Sequence, residues 1–272
     1  MNTKIINAGA LCTPSKLPAS DYVINPYVGC IHRCRYCYAR FMGRFTGHWE
    51  EWGTYIDCKK YDSYRLPNNL EGKTILIGSV TDAYNPAESR FRLMPDILKA
   101  LSECPAHVEI LTKSKLVLRD VEYIKKIPDI AVGVSLSNLN EQDNRVIEPG
   151  AASAEERIKI LQVLHDAGIK TYLFVAPYLP GITNLPGLFE AVKTCVDYIC
   201  MENLNLRGEY KQPMLQFAQQ YHSNVYALWE KIYLRKQGDD YWCDVEKQFE
   251  SLGKVYDIPV ISYMYHEKIK KK

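Results

Sequence analysis

Cys30, Cys34 and Cys37 stand at C-x3-C-x2-C spacing within Asn25-Pro26-Tyr27-Val28-Gly29-Cys30-Ile31-His32-Arg33-Cys34-Arg35-Tyr36-Cys37-Tyr38, with no fourth cysteine nearby. Thiolates set this closely on one loop can converge on one metal centre, and three of them leave an iron–sulfur cluster with one iron free of protein ligands. An iron with an open position is a place for chemistry. Zinc is the rival reading, because His32 and Cys58 could complete a zinc site. Against it, a zinc ribbon usually brings two C-x2-C pairs, and a catalytic zinc mixes in His or carboxylate ligands.

The triplet, with aromatic Tyr36 before its last cysteine, resembles the signature of the radical S-adenosylmethionine (SAM) superfamily. The wider string Asn25-Pro26-Tyr27-x-Gly29-Cys30-x-His32-x-Cys34-x-Tyr36-Cys37-Tyr38-Ala39-Arg40, followed by Thr81-Asp82-x-Tyr84-Asn85-Pro86-Ala87-Glu88, resembles the spore-photoproduct-lyase-like branch. Within that branch it resembles the proteins called radical SAM mobile pair protein B, and the likeness covers roughly residues 20 to 210. The resemblance implies a [4Fe-4S] cluster on Cys30, Cys34 and Cys37, with SAM on the open iron. It also implies that one electron, from a donor such as flavodoxin or ferredoxin, cleaves SAM to a 5'-deoxyadenosyl radical that abstracts hydrogen from a substrate. A companion radical SAM protein is the partner that the mobile-pair resemblance implies.

Such a site needs a frame, and the chain has the pattern for one. Short apolar runs at Tyr22–Asn25, Thr74–Ser79, His107–Thr112, Ala131–Ser137, Thr171–Ala176 and Tyr198–Asn203 read as strands. Helical spacing separates them at Met94–Cys104, Arg119–Ile127, Ala154–Ala167 and Leu188–Val196. Six strands with connections long enough for parallel crossovers read as an α/β fold. The resemblance implies its form, a partial (β/α)6 TIM-like barrel. Residues 1–207 form that unit, with the cluster loop at 29–38 and an aperiodic insertion at 39–70, read as shell packing. Residues 208–272 read as a C-terminal cap, helical at Met214–Arg235 and Tyr241–Lys254, with a final strand at Ile258–Met264.

In parallel α/β folds the reacting groups gather at the strand ends. Ser79, Thr81 and Asp82 follow the second strand, where the resemblance implies the acceptor for the SAM ammonium. Lys113 and Ser114 follow the third and resemble the branch's Thr-Lys-Ser element, where the resemblance implies a cation paired with the SAM carboxylate; an exposed turn lysine is the alternative. Ser135 and Ser137 share one face of the fourth strand, where their hydroxyls could bond the ribose or simply fill a barrel layer. Tyr36 is expected near the adenine, with the loop from Ala176 to Gly181 at its edge. Glu148 and Glu202 are polar positions after strands. For Glu202 an ion pair with Arg207 is the structural alternative. Cys200 shares a strand face with Tyr198 and Glu202, and as a thiol hydrogen donor it competes with a role as buried filler.

The spore photoproduct lyases use a cysteine hydrogen donor near the end of the second strand; here the aligned Gly78-Ser79-Val80-Thr81-Asp82 carries serine, a far poorer donor. Thymine-dimer repair by that route is therefore not expected unless Cys58 or Cys200 substitutes. Two classes of function remain: a radical SAM enzyme acting on a nucleic-acid base, a peptide or a protein, and a non-enzymatic metal-stabilised module that binds nucleic acid. With 34 Lys plus Arg against 32 Asp plus Glu, a net charge of +2 gives no general attraction to polyanions. Arg33, Arg35, Arg40 and Arg44 form a local basic patch, read as support for the cluster's charge. The longest apolar stretch, near Tyr172–Ile182, is short and holds two prolines, and no signal-peptide core opens the chain. A cytoplasmic protein without membrane contact is the expectation. Nine cysteines, three of them crowded on one loop, read as reduced thiols.

Overall fold

A computed structural model describes residues 2–264, so the lysine-rich end at 268–272, read as a solvated tail, lies outside the described residues. In chain order the strands are β1 (Asn2–Ala8), β2 (Thr13–Pro14), β3 (Tyr22–Ile24), β4 (Tyr27–Val28), β5 (Tyr55–Tyr61), β6 (Thr74–Ile77), β7 (His107–Thr112), β8 (Ile130–Ser135), β9 (Lys170–Tyr178), β10 (Tyr198–Asn203) and β11 (Val260–Ser262). The main sheet runs β11-β10-β9-β8-β7-β6-β3-β2. Only the β2–β3 pair in it is antiparallel.

From β3 through β6 to β11 the order never reverses. A doubly wound sheet reverses at a switch point and takes helices on both faces. Right-handed crossovers repeated in one direction instead put the helices on one face and curl the strands around the other. The winding is that of an α/β barrel left open, with β2 and β11 as its edges. Alternation along β7 shows the two faces: Val108 and Ile110 are fully buried in the main core, whereas Glu109 and Leu111 line an interior cavity.

The crossover helices are set by local signals. Ser153 caps Ala154–Asp166, its Oγ accepting from the Glu156 backbone N–H at 3.1 Å while the Ser153 N–H donates to the Glu156 carboxylate at 3.0 Å. Ile160, Leu161 and Leu164 of that helix are buried against the sheet, each contributing about 1.5–3 kcal/mol. The expected helix Met214–Arg235 is divided into Lys211–Tyr221, Ser223–Trp229 and a π turn at Glu230–Leu234. At the break, His222 leaves helical geometry and its Nε2 meets Asp143 Oδ1 at 2.8 Å. These helices pack Met214, Phe217 and Trp229 onto Leu179 and Leu204, in the loops after β9 and β10.

The 39–70 segment carries order that its sequence hides. Its strand β5 lies between β1 and β4 in a separate three-stranded sheet, pairing Tyr27 with Cys58 and Val28 with Asp57. The cysteine loop leaves directly from β4. Among the described residues no helix is long and apolar enough to cross a membrane.

Candidate active site

A cavity of about 310 Å³ opens where the parallel strands end, and Cys30, Cys34 and Cys37 all line it. Hydrogen bonds that involve no sulfur hold their loop. The Asn25 side chain donates to Ser79 Oγ at 2.9 Å and accepts from the Val80 N–H at 3.0 Å. Thr81 Oγ1 donates to the Gly29 carbonyl at 2.5 Å, and the Tyr38 hydroxyl donates to the Ser79 carbonyl. Gly29 adopts φ +89°, and a Cβ there would lie 2.6 Å from the Tyr55 carbonyl oxygen, so only glycine fits.

Asp82 ties the loop to the sheet. One or other of its oxygens accepts from the backbone N–H of Tyr84 (2.8 Å), from Thr112 Oγ1 (2.8 Å) and from the Lys113 N–H (2.8 Å), and pairs with His32 Nε2 (2.9 Å). These bonds hold its carboxyl below the usual range: burial opposes ionisation, and His32 with the donors outweighs it. His32 Nδ1 faces the Gly150 carbonyl at 2.7 Å, so both ring nitrogens are engaged. The second motif closes in the same manner. Tyr27 donates to Glu88, which also accepts from the Leu93 and Met94 N–H groups and pairs with Arg119 at 2.6 Å.

Burial pushes each of the three thiols up to about 12, and the charge of a neighbouring cysteine adds to the rise in each case. A bound cation is what turns such thiols into ligands. Among the described residues no three His, Cys, Asp or Glu side chains converge tightly enough to hold a single metal ion. Three thiols from one loop are the donor set of a cluster with one iron left open, whereas a structural zinc needs four donors. The zinc reading also loses its completing ligands: His32 is engaged with Asp82 and Gly150, and Cys58 lies in a separate apolar cluster with Tyr27, Ile56 and Ala87.

Beside Cys34 the wall is charged. The Lys113 ammonium lies 5.9 Å from the centre of the Tyr36 ring. Burial acts against its charge, and Cys34 and Glu148 outweigh burial and hold its pKa above the ordinary lysine value. The Tyr36 hydroxyl donates to Glu148, which is locked in a buried ion pair with Arg157.

The radical SAM superfamily model matches residues 24–185, more than half of the chain. The chain belongs to the radical SAM superfamily. An uncharacterized protein of Methanocaldococcus jannaschii is 38% identical over 223 residues, covering 79% of this chain and 85% of that one. An uncharacterized Mycobacterium tuberculosis protein is 28% identical over 248 residues, covering 85% and 71%. Spore photoproduct lyase complexed with dinucleoside spore photoproduct has a TM-score of 0.58 at 16% identity, over 80% of this chain and 66% of that one. This last likeness is one of fold, and the matched region is less than two thirds of the lyase.

In this radical SAM chain the cavity brings together Cys30, Cys34, Cys37, Tyr36, Ser79, Thr81, Asp82, Lys113, Ser135, Ala176, Cys200 and Glu202 among the residues singled out from sequence. Four others stand outside its lining. Ser114 caps the short helix Lys115–Asp120 through the Leu116 N–H; Ser137 is buried behind the wall with its carbonyl bonded to Thr183; Glu148 braces Tyr36; and Cys58 lies in its apolar cluster. Ser135 Oγ donates to the Ala176 carbonyl at 3.1 Å, tying the β8 and β9 ends. Cys200 is 3% exposed and faces Tyr172, Tyr198 and Tyr263 in the lumen. Sequence reasoning passed over Arg157, which reads as an ordinary helix arginine. It also passed over Glu109, although its alternation with Val108 and Ile110 was a usable signal.

Proposed function

We propose that this protein is a radical SAM enzyme in which Cys30, Cys34 and Cys37 hold a [4Fe-4S] cluster and the adjoining cavity holds SAM and part of the substrate. The observation that carries the reading is that the three thiols, Lys113 and Cys200 all line one cavity. When bound, the cluster and SAM supply a one-electron cleavage that yields a 5'-deoxyadenosyl radical; the protein orients and shields it. Lys113 pairs with the SAM carboxylate. Tyr36 flanks the adenine, held by Glu148 and Arg157, and the Ala176 loop meets its edge. Ser135 and Glu202, which line the same cavity, supply polar contacts. Thr81 and Asp82 act as positioning residues, because their side chains are bonded to Gly29, His32, Thr112 and Lys113.

Cys200 completes the reading as hydrogen donor: its S–H bond breaks as a C–H bond forms on the substrate radical, and one electron and one proton from the external reductant restore the thiol. Ser79 stands on the same cavity wall as the cluster loop with its hydroxyl in the Asn25 hydrogen bonds, so the lyase route through a thiol at that position is not available here. A flavodoxin or ferredoxin as electron donor and a companion radical SAM protein are the partners proposed; native co-purification is the check.

The test is anaerobic reconstitution, addition of dithionite and SAM, and measurement of 5'-deoxyadenosine beside a Cys30→Ala, Cys34→Ala, Cys37→Ala triple variant. Product from the parent protein alone supports the assignment. Absence of iron and sulfide from a folded, reconstituted parent protein refutes it.

A further inference from the structure

The cluster loop continues into a surface that the reaction does not use. Tyr38–Met42 and Gly43–Thr46 form consecutive helical turns, and residues 38, 41 and 45 fall on one face. Tyr38 stacks on Phe41 with ring centres 6.2 Å apart, and Phe41 meets Phe45 edge-on at 6.1 Å. These rings face solvent: Phe41 is 44% and Phe45 is 77% exposed. Exposed large rings in series mark an interaction site. Tyr38 belongs to the cavity lining as well, so the ladder runs outward from the cavity mouth.

The charge around the ladder is one-sided. Residues 22–49 contain Arg33, Arg35, Arg40 and Arg44 and no Asp or Glu. Arg33 and Arg44 are exposed and Arg40 is half-buried, its guanidinium donating to the Arg35 carbonyl at 3.5 Å. Rings that accept any base face, interleaved with cations that track phosphates, are the two parts of a single-strand nucleic-acid platform. An acidic protein surface would satisfy the arginines but would leave three solvent-facing rings without a planar partner. A stacked duplex would offer phosphates but no base faces.

We infer that Tyr38, Phe41 and Phe45, with Arg33 and Arg44, bind single-stranded nucleic acid and deliver one unstacked base or sugar into the cavity. The inference rests on the cavity being the reaction site proposed above, and it names the substrate class. The +2 net charge is no obstacle, because the attraction is local to the cavity mouth.

The experiment uses reconstituted holoprotein under anaerobic conditions and fluorescein-labelled twelve-nucleotide oligothymidylate, oligouridylate and a duplex of the same length, read by anisotropy at two salt concentrations. The expected result is tighter binding of the single strands than of the duplex, the DNA and RNA arms showing which sugar is preferred. Replacing Phe41→Ala and Phe45→Ala together is expected to weaken binding by about ten- to a hundredfold. Arg44→Ala is expected to lower the log–log salt slope by about 0.7. Lys125→Ala, exposed at the opposite end of the sheet, should change neither. Uncoupled 5'-deoxyadenosine formation is measured on the same preparations and should survive the phenylalanine changes. Normal SAM cleavage with no single-strand binding, or with binding indifferent to both phenylalanines, overturns the inference and leaves the reaction class standing. An effect of these changes on electron delivery from reduced flavodoxin alone, with oligonucleotide binding unchanged, assigns the surface to an acidic protein and overturns it as well. Single-strand binding lost in the phenylalanine variant while the parent protein takes up neither iron nor sulfide supports the surface and refutes the proposed reaction.

Discussion

Replacing Arg157 by Met removes the cation that makes Glu148 tolerable in the interior. Both side chains are 1% exposed. The guanidinium also donates to the Ala152 carbonyl at 2.7 Å and to the Ser135 carbonyl at 2.9 Å. Breaking a buried pair by deleting one partner costs about 3–5 kcal/mol, because the remaining charge has lost its compensation. At ~3 kcal/mol per M urea this is a midpoint shift of more than about 1 M. Adding Glu148→Leu should return part of the loss, since an apolar pair carries no desolvation penalty. Acidification separates this account from simple loss of packing. In the parent protein burial works to raise the Glu148 pKa, and Arg157 and Lys113 outweigh it and hold it below the unfolded value. Its stabilising contribution is therefore complete above about pH 4.5 and is lost as pH falls through the folded pKa. Without Arg157 burial gains the upper hand, the shift is toward higher pKa, and lowering pH from 7 to 5 should narrow the gap between variant and parent. Urea unfolding at the two pH values measures this. A single-variant loss below about 1 kcal/mol, a double variant weaker than the single, or a gap that widens on acidification would refute the reasoning.

Lys113→Met should weaken SAM binding about ten- to a hundredfold, the worth of a charged hydrogen bond, with iron content unchanged; isothermal titration of the reconstituted protein measures it, and an unaltered Kd removes Lys113 from the carboxylate site. Gly29→Ala should abolish cluster loading in a chain that still folds, because the new Cβ meets the Tyr55 backbone carbonyl at a positive φ; iron and sulfide assays at parental levels would contradict this. Tyr27→Phe should cost about 1–3 kcal/mol, because Glu88 loses a buried donor, and circular dichroism melting gives the check. A smaller loss would mean that Arg119 and the backbone N–H groups already satisfy the carboxylate.

The six parallel strands were legible because the apolar runs of β6 to β10 are buried beneath helices, and the β8 run is buried throughout. The order in 39–70 was hidden for an opposite reason. β5 reads Tyr-Ile-Asp-Cys-Lys-Lys-Tyr, and its buried Asp57 is acceptable only because His48 Nε2 lies 2.8 Å away. β1 has no buried residue and hence no apolar period. At the site, residue types at strand ends indicated the lining, since strand ends converge by topology. Which oxygens were already occupied depends on partners distant in sequence: Asp82 reads as an open carboxylate until His32, Thr112 and Lys113 are placed around it. Helix Glu141–Ile147, capped by Asn140, was passed over because only a short stretch of it is apolar.

The anchoring of the cysteine loop has a consequence for how the protein matures. In a zinc finger the metal organises an otherwise unfolded chain, so metal delivery and folding are one event. Here Asn25, the Gly29 carbonyl, His32 and Tyr38 fasten the loop to β6, β7 and the turns beyond them by bonds among nitrogen and oxygen atoms. The polypeptide can thus reach its final shape before iron arrives. A chain stripped of iron should therefore keep the circular dichroism spectrum and melting behaviour of a folded protein, in contrast to a zinc finger treated with chelator.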